Sequence, residues 1–147
     1  VISDLQSARA FAAELDEAAL KSGSTTSISG GIDFAVKLFE ESGVEATRQV
    51  IDISGDGYSD YGRPPMEARD EAVAKGITIN GLAIMNKRAD WKQAAPDDLD
   101  KYYRDNVIGG PGSFYIAVHN LNDFSQSVLQ KLILEIASIQ TLKKQRG

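Results

Sequence analysis

The stretch that most constrains this chain is Arg48-Gln49-Val50-Ile51-Asp52-Ile53-Ser54-Gly55-Asp56-Gly57-Tyr58-Ser59-Asp60. Val50, Ile51 and Ile53 make a short β-branched run that reads as a buried strand. Gly55 and Gly57 break it sharply. Asp56 is thereby placed at the C-terminal end of a parallel strand, the edge at which open α/β sheets bind their ligands.

The rest of the chain supplies the partners such a strand needs. Leu5, Ala8, Phe11, Ala12, Leu15 and Ala19 recur at helical spacing, which predicts an amphipathic helix over 3–21. Ser3 with Gln6 fits a capping box, and Lys21 and Gly23 fit its end. A hydroxyl-rich loop follows, Gly23-Ser24-Thr25-Thr26-Ser27-Ile28-Ser29-Gly30-Gly31. It leads into a second helix with Ile32, Ala35, Val36 and Phe39 on one face, ended by Gly43. The loop reads either as N-cap and turn chemistry or as a set of oxygen donors at a helix N-terminus.

After the strand, Pro64 and Pro65 suit the first turn of a helix over 65–75. Residues 77–84 read as a second strand, and the β-α-β order implies a parallel sheet. Residues 85–95 form a polar connection that holds Trp91, read as a packing anchor. A short helix runs from Pro96 through Tyr102, Tyr103 and Val107. Gly109-Gly110-Pro111-Gly112 fits a type II turn rather than a phosphate cradle. A third strand spans 113–118. Asn122 or Asp123 caps a last helix whose apolar face carries Phe124, Val128, Leu132, Ile136 and Ile139. Its C-terminal Lys143, Lys144 and Arg146 complement the helix dipole. The order is α-α-β-α-β-α-β-α, within a single domain over residues 1–147.

Composition narrows the function classes. The 16 basic against 21 acidic residues give a net charge of −5, so no basic face is set to neutralise a nucleic-acid backbone. No apolar run approaches the roughly 20 residues of a membrane span. With no cysteine there is no thiolate metal site, disulfide or cysteine nucleophile. The chain starts at Val1 with no basic-then-apolar leader, so either a leader has been removed or a longer protein has been cut.

Asp52, Asp56 and Asp60 lack the spacing and later glutamate of an EF-hand. Asp56 alone at a strand end reads either as a Mg²⁺ or Mn²⁺ ligand or as the Asx turn that ends the strand. Asp52 alternates onto the face of Val50 and Ser54, where a carboxylate requires a hydrogen-bonding partner or solvent. His119, the single histidine, reads as a loop residue, since no nucleophile elbow accompanies it.

Thr26 before the helix of Ile32, then Val50-Ile51-Asp52-Ile53-Ser54-Gly55-Asp56-Gly57, resembles the von Willebrand factor type A domain. Together with the stretches 76–84 and 107–114, these residues are similar to a group of uncharacterised, exported bacterial proteins with a type-A-like domain. The resemblance implies a Rossmann-like (vWA-like) three-layer α/β fold with a parallel sheet. It also implies an adhesion-type metal site at the strand C-terminal edge, to which Thr26 and Asp56 would contribute. A protein ligand's carboxylate completes the Mg²⁺ shell in that family. Ser24, Thr25, Gly55, Gly57 and Asp60 lie in the loops that would present the ligand.

The family's D-x-S-x-S motif is absent from this chain. The expectation is therefore the C-terminal half of such a domain, truncated to its last strands and helices. Its metal site would be incomplete, with Mg²⁺ or Mn²⁺ weakly held or absent. The strand over 48–54 would present an open edge, covered in a homodimer, by a domain-swapped segment or by a missing N-terminal half. The functional expectation is a non-enzymatic protein-interaction domain with a periplasmic or secreted location. The alternatives are a metal-assisted hydrolase of Rossmann-like fold and a truncated structural fragment without a ligand.

Overall fold

A computed structural model describes residues 2–18, 23, 25–85, 95–120 and 123–144, with side chains of the last helix as far as Leu134. Ala19, Lys21, Ser24, Trp91, Asn122 and Arg146 lie outside the described residues, as do the side chains of Ile136, Ile139, Lys143 and Lys144. The elements are α1 (Leu5–Glu17), α2 (Ile28–Glu41), β1 (Val50–Gly55), α3 (Pro65–Ala74), β2 (Thr78–Ile84), α4 (Leu99–Tyr102), β3 (Tyr115–Val118) and α5 (Phe124–Lys144). The order α-α-β-α-β-α-β-α is the one read from the sequence. A π-helical turn, Tyr103–Val107, continues α4 without a break.

The sheet is parallel throughout, in the order β1-β2-β3. Val50 pairs with Thr78 and Gly55 with Ala83, while Gly81 pairs with Tyr115 and Ile84 with Val118. β2 lies in the centre, and six of its seven residues are buried, as expected for a parallel strand covered on both faces. The two sheet faces are told apart by β1. Ile51 joins the core of Ile28, Ile32, Ala68, Ile79, Leu99 and Tyr103, with Ile53 packed against it, so α2, α3 and α4 cover that face. Asp52 points the other way and meets Lys131 of α5, Nζ to Oδ1 2.6 Å. The result is a three-layer, Rossmann-like α/β arrangement.

The Lys131–Asp52 pair corrects the expected face of α5. Phe124 and Val128 are partly buried, but the next turn inward is Lys131, and Leu132 is left 46% exposed. The lysine is only 6% exposed because its charge is matched by a carboxylate on β1. Removing one member of such a pair leaves the other uncompensated. Asp52 thus has the structural partner that its position demanded.

The first helix is corrected more strongly. It covers Leu5–Glu17 rather than 3–21 among the described residues. Its capping box is Asp4 with Ser7 rather than Ser3 with Gln6. The Asp4 carboxylate accepts from Ser7 N–H at 2.7 Å, and Ser7 Oγ accepts from Asp4 N–H at 3.1 Å. Those bonds hold the Asp4 carboxyl below its ordinary range. The apolar stripe exists, but Leu5, Phe11 and Leu15 are all exposed and no residue of α1 is buried. The helix forms on local grounds, and no described residue covers its stripe.

Two turns fold as their residues dictate. Pro65 occupies the first turn of α3, where its missing N–H costs nothing. Ser113 N–H donates to Gly110 C=O at 3.2 Å across Pro111 and Gly112, with Gly112 at φ +71°, the geometry of a type II turn. Just before this turn, Gly109 exchanges both backbone hydrogen bonds with Ile79, at 2.8 and 3.1 Å. This fixes the approach to β3, which covers Tyr115–Val118 rather than 113–118. Arg69 of α3 closes the π turn by donating to Asp105 C=O and Ile108 C=O. The short helix begins at Leu99 rather than Pro96.

β1 is an edge strand. Gln49 C=O accepts from Thr78 N–H at 3.0 Å. By alternation, residues 49, 51 and 53 turn their backbone groups toward β2, and those of Val50, Asp52 and Ser54 turn outward. No described strand pairs with that outer side.

Candidate functional site

The C-terminal ends of β1 and β2, with the N-terminus of α2, form the edge at which ligands bind in sheets of this kind. Ser27 caps α2, its side chain accepting from Gly30 N–H at 3.1 Å. The residues before this cap lie against the loop that leaves β1. Thr26 C=O accepts from Asp60 N–H at 2.9 Å and from Tyr61 N–H at 3.1 Å. In return the Asp60 carboxylate accepts from Thr26 N–H at 2.6 Å. Ser59 Oγ accepts from Ile28 N–H at 3.1 Å. Two loops more than thirty residues apart in the chain are thus laced together, which brings Thr26 to the loop that carries Asp56.

A second set of bonds ties the β1 loop to α4. Tyr58 donates its hydroxyl to Asp98, and Ser59 N–H donates to Tyr102 OH at 3.2 Å. The rings of Tyr58 and Tyr102 lie 4.7 Å apart, tilted by 53°, a favourable aromatic geometry. The carboxylate beside Tyr58 raises its phenol above the ordinary value, because the bond is to the protonated form. Beyond the loop, Arg63 forks onto both Glu71 oxygens, at 2.6 and 2.7 Å, and onto Asp33 at 2.7 Å. This holds the end of the loop to α2 and α3.

Of the residues singled out from sequence, Thr25, Thr26, Gly55, Asp56, Gly57 and Asp60 all lie in these two loops or at the strand end, and Ser24 lies outside the described residues. Their environments differ. Asp60 commits one oxygen to the Thr26 backbone, so it organises the loop. The side chains of Thr26 and Asp56 are exposed, and neither makes a hydrogen bond or ion pair with another described residue. Gly55 lies beneath the Tyr103 hydroxyl: a Cβ there would stand 2.7 Å from that oxygen. His119 is an exposed loop residue.

Ser59, Tyr102 and Tyr103 carry no sequence signal of a site. Tyr102 and Tyr103 stand only as positions of a short helix, and nothing local says that their hydroxyls reach the end of β1. Burial, with a second phenol, Tyr102, and the Asp56 carboxylate nearby, pushes the Tyr103 phenol well above its ordinary range. It therefore stays protonated at any physiological pH.

A Mg²⁺ or Mn²⁺ ion wants about six oxygen ligands in near-octahedral array. Thr26 Oγ1 and Asp56 offer two residues toward that shell, Asp60 is engaged elsewhere, and the described residues contain no group of three or more acidic, histidine or cysteine side chains that could hold a metal. Among the described residues the donors at this edge stop short of a full shell.

No described helix is long and apolar enough to cross a membrane. Among curated proteins and among solved structures there is no match to the chain. The model of one family, described as "Protein of unknown function (DUF1194)", matches residues 1–140. The match spans the laced loops, the parallel sheet and most of α5, and on that extent the chain belongs to the DUF1194 family.

Proposed function

We propose that this chain is a non-enzymatic interaction domain of the von Willebrand factor type A kind, which binds a protein partner through the loops around Thr26 and Asp56. One observation carries the reading. The Thr26 and Asp56 loops are held by hydrogen bonds of 2.6 to 3.1 Å between the Thr26 backbone and the Asp60 carboxylate and the Asp60 and Tyr61 backbones, yet the side chains of Thr26 and Asp56 are exposed and bonded to no described residue. Rigid loops that leave their polar groups free bind with little loss of conformational entropy. The three-layer fold and the position of Asp56 at the sheet's C-terminal edge support the same reading. We propose further that Mg²⁺ or Mn²⁺ is held weakly or not at all, and that the protein acts in the periplasm or after secretion, as its type A resemblance implies.

Selection from a displayed random-peptide library tests the reading. Binders are expected that lose about tenfold or more in affinity when Asp56 becomes Asn, the size of a lost charge-assisted hydrogen bond. A selection that yields no Asp56-dependent binder sinks it. Mn²⁺-dependent turnover of p-nitrophenyl phosphate, abolished by Asp56→Asn, would replace it with a metal-assisted hydrolase.

The outward backbone groups of Val50, Asp52 and Ser54 support a second element of the proposal. A row of free N–H and C=O groups is satisfied by another extended strand. We propose that a second copy of the chain or a separate polypeptide supplies it. Light scattering is expected to show a species larger than the monomer; a monodisperse monomer with no second polypeptide would refute this element.

A further inference from the structure

The edge around Asp56 is acidic. Asp56 is exposed with no bonded partner among the described residues. Asp60 and Asp98 stand on the adjoining segments, one oxygen of each engaged by Thr26 N–H and by the Tyr58 hydroxyl. Acidic residues at a surface are commonly just solvated, so on their own they name no ligand.

Tyr103 supplies an independent indication. Its side chain is 1% exposed, and its ring packs so closely on β2 that a Cβ at Gly81 would stand 2.8 Å from Cδ1. Its hydroxyl reaches the end of β1 over Gly55, immediately before Asp56. No described residue hydrogen-bonds to that hydroxyl, and it is not sealed off as a buried orphan. A nearly buried polar group is normally satisfied inside the protein. This one faces the sheet edge, placed to meet an atom that arrives from outside. Tyr58 and Tyr61, 39% and 67% exposed, add two aromatic faces on the same loop.

We propose that this edge receives an arginine side chain of a protein partner, with Asp56 as its counter-ion and the Tyr103 oxygen accepting a further N–H. This rests on the interaction reading given above and names the chemistry of its ligand. The guanidinium presents several N–H donors in one plane, enough for a two-point bond to a carboxylate and a third to a neighbouring oxygen. It also stacks on tyrosine faces such as those of Tyr58 and Tyr61. A carboxylate ligand, which the type A resemblance implies through a bridging metal, would instead meet Asp56, Asp60 and Asp98 without a tightly held cation between them.

The test is an amide-resolved NMR titration of the full chain with three probes. They are Ac-Gly-Arg-Gly-NH₂, its citrulline analogue, and Ac-Gly-Glu-Gly-NH₂ with and without excess Mg²⁺. The arginine peptide is expected to shift the amides of Thr26, Gly55 and Gly57 saturably. Asp56→Asn should weaken it about tenfold and Tyr103→Phe about threefold, the sizes of a charged and a neutral hydrogen bond. The citrulline analogue, which keeps the shape and loses the charge, should bind at least about tenfold more weakly. Both variants keep the fold, since Asp56 is exposed and phenylalanine keeps the Tyr103 ring.

Binding of the glutamate peptide with Mg²⁺ at these amides, without binding of the arginine peptide, overturns the proposal and leaves the interaction reading standing. Arginine binding that is indifferent to Asp56→Asn, or no shift with any probe, also overturns it. The interaction reading itself falls only if the displayed-peptide selection returns no Asp56-dependent binder.

Discussion

Tyr103→Ala lowers the free energy of unfolding by about 4 kcal/mol, within the range for deleting a buried aromatic ring. Tyr103→Phe changes it by less than about 0.5 kcal/mol. The contrast follows from what each part of the side chain touches. The ring is 1% exposed and fills the space over Gly81 in the core it shares with Leu99, Val107 and Ile79. Alanine leaves a cavity where β2, α4 and the π turn meet, and a close-packed core collapses into such a cavity only in part. The hydroxyl makes no hydrogen bond to a described residue, so its loss breaks no bond among the described residues. Urea denaturation of the three proteins decides this. A Tyr103→Phe cost above about 1 kcal/mol would mean that the hydroxyl has a structural partner, and its assignment to an external ligand would lose its basis.

Gly110→Ala is the second large effect, a destabilisation of about 3 kcal/mol, in which a strain term and an overpacking term add. Gly110 sits at φ +91°, a region that strains a residue with a Cβ by about 1–2 kcal/mol. The new Cβ would also stand 2.9 Å from Ile77 C=O and 3.1 Å from Thr78 Cα. Both are backbone atoms at the entry to the central strand. They cannot retreat without disturbing the paired bonds between Gly109 and Ile79, and overpacking of this kind costs about 1–3 kcal/mol. Gly112→Ala is the control. Gly112 has φ +71°, but a Cβ added to it would meet nothing within 4 Å, so it bears the conformational cost alone, about 1 kcal/mol. Thermal or urea unfolding should rank the two in that order. Equal losses would show that conformation alone, without the clash on β2, sets the cost.

Much of the site was legible because its placement is a matter of local chemistry. A β-branched run ended by Gly55 and Gly57 puts Asp56 at a strand terminus whatever surrounds it. A serine ahead of an apolar-periodic run puts Thr26 at a helix start. What these residues do depends on partners far off in sequence. By its place in the loop Asp60 has the same standing as Asp56, but it is separated from Thr26 by 34 positions and commits itself to that backbone. Ser59, Tyr102 and Tyr103 carry no pattern that distinguishes a loop serine or a core aromatic from a residue at a binding edge.

Sequence by itself determined the three-strand, five-helix order, the parallel β1-β2 pairing, the proline start of α3, the type II turn over Gly110-Pro111-Gly112, and Asp56 as the residue at the strand end. Each follows from side-chain period or from backbone freedom within a few positions. Only the tertiary structure decided that Lys131 faces the sheet because Asp52 is there, and that the apolar stripe of α1 stays exposed among the described residues. It alone brought the Tyr103 hydroxyl to the end of β1 beside Asp56. Periodicity records which face of an element is apolar, but not which charge, ring or strand edge the fold sets opposite it. The edge at Asp56 is built by contacts between residues 31 to 48 positions apart in the chain, and packing alone bridges that distance.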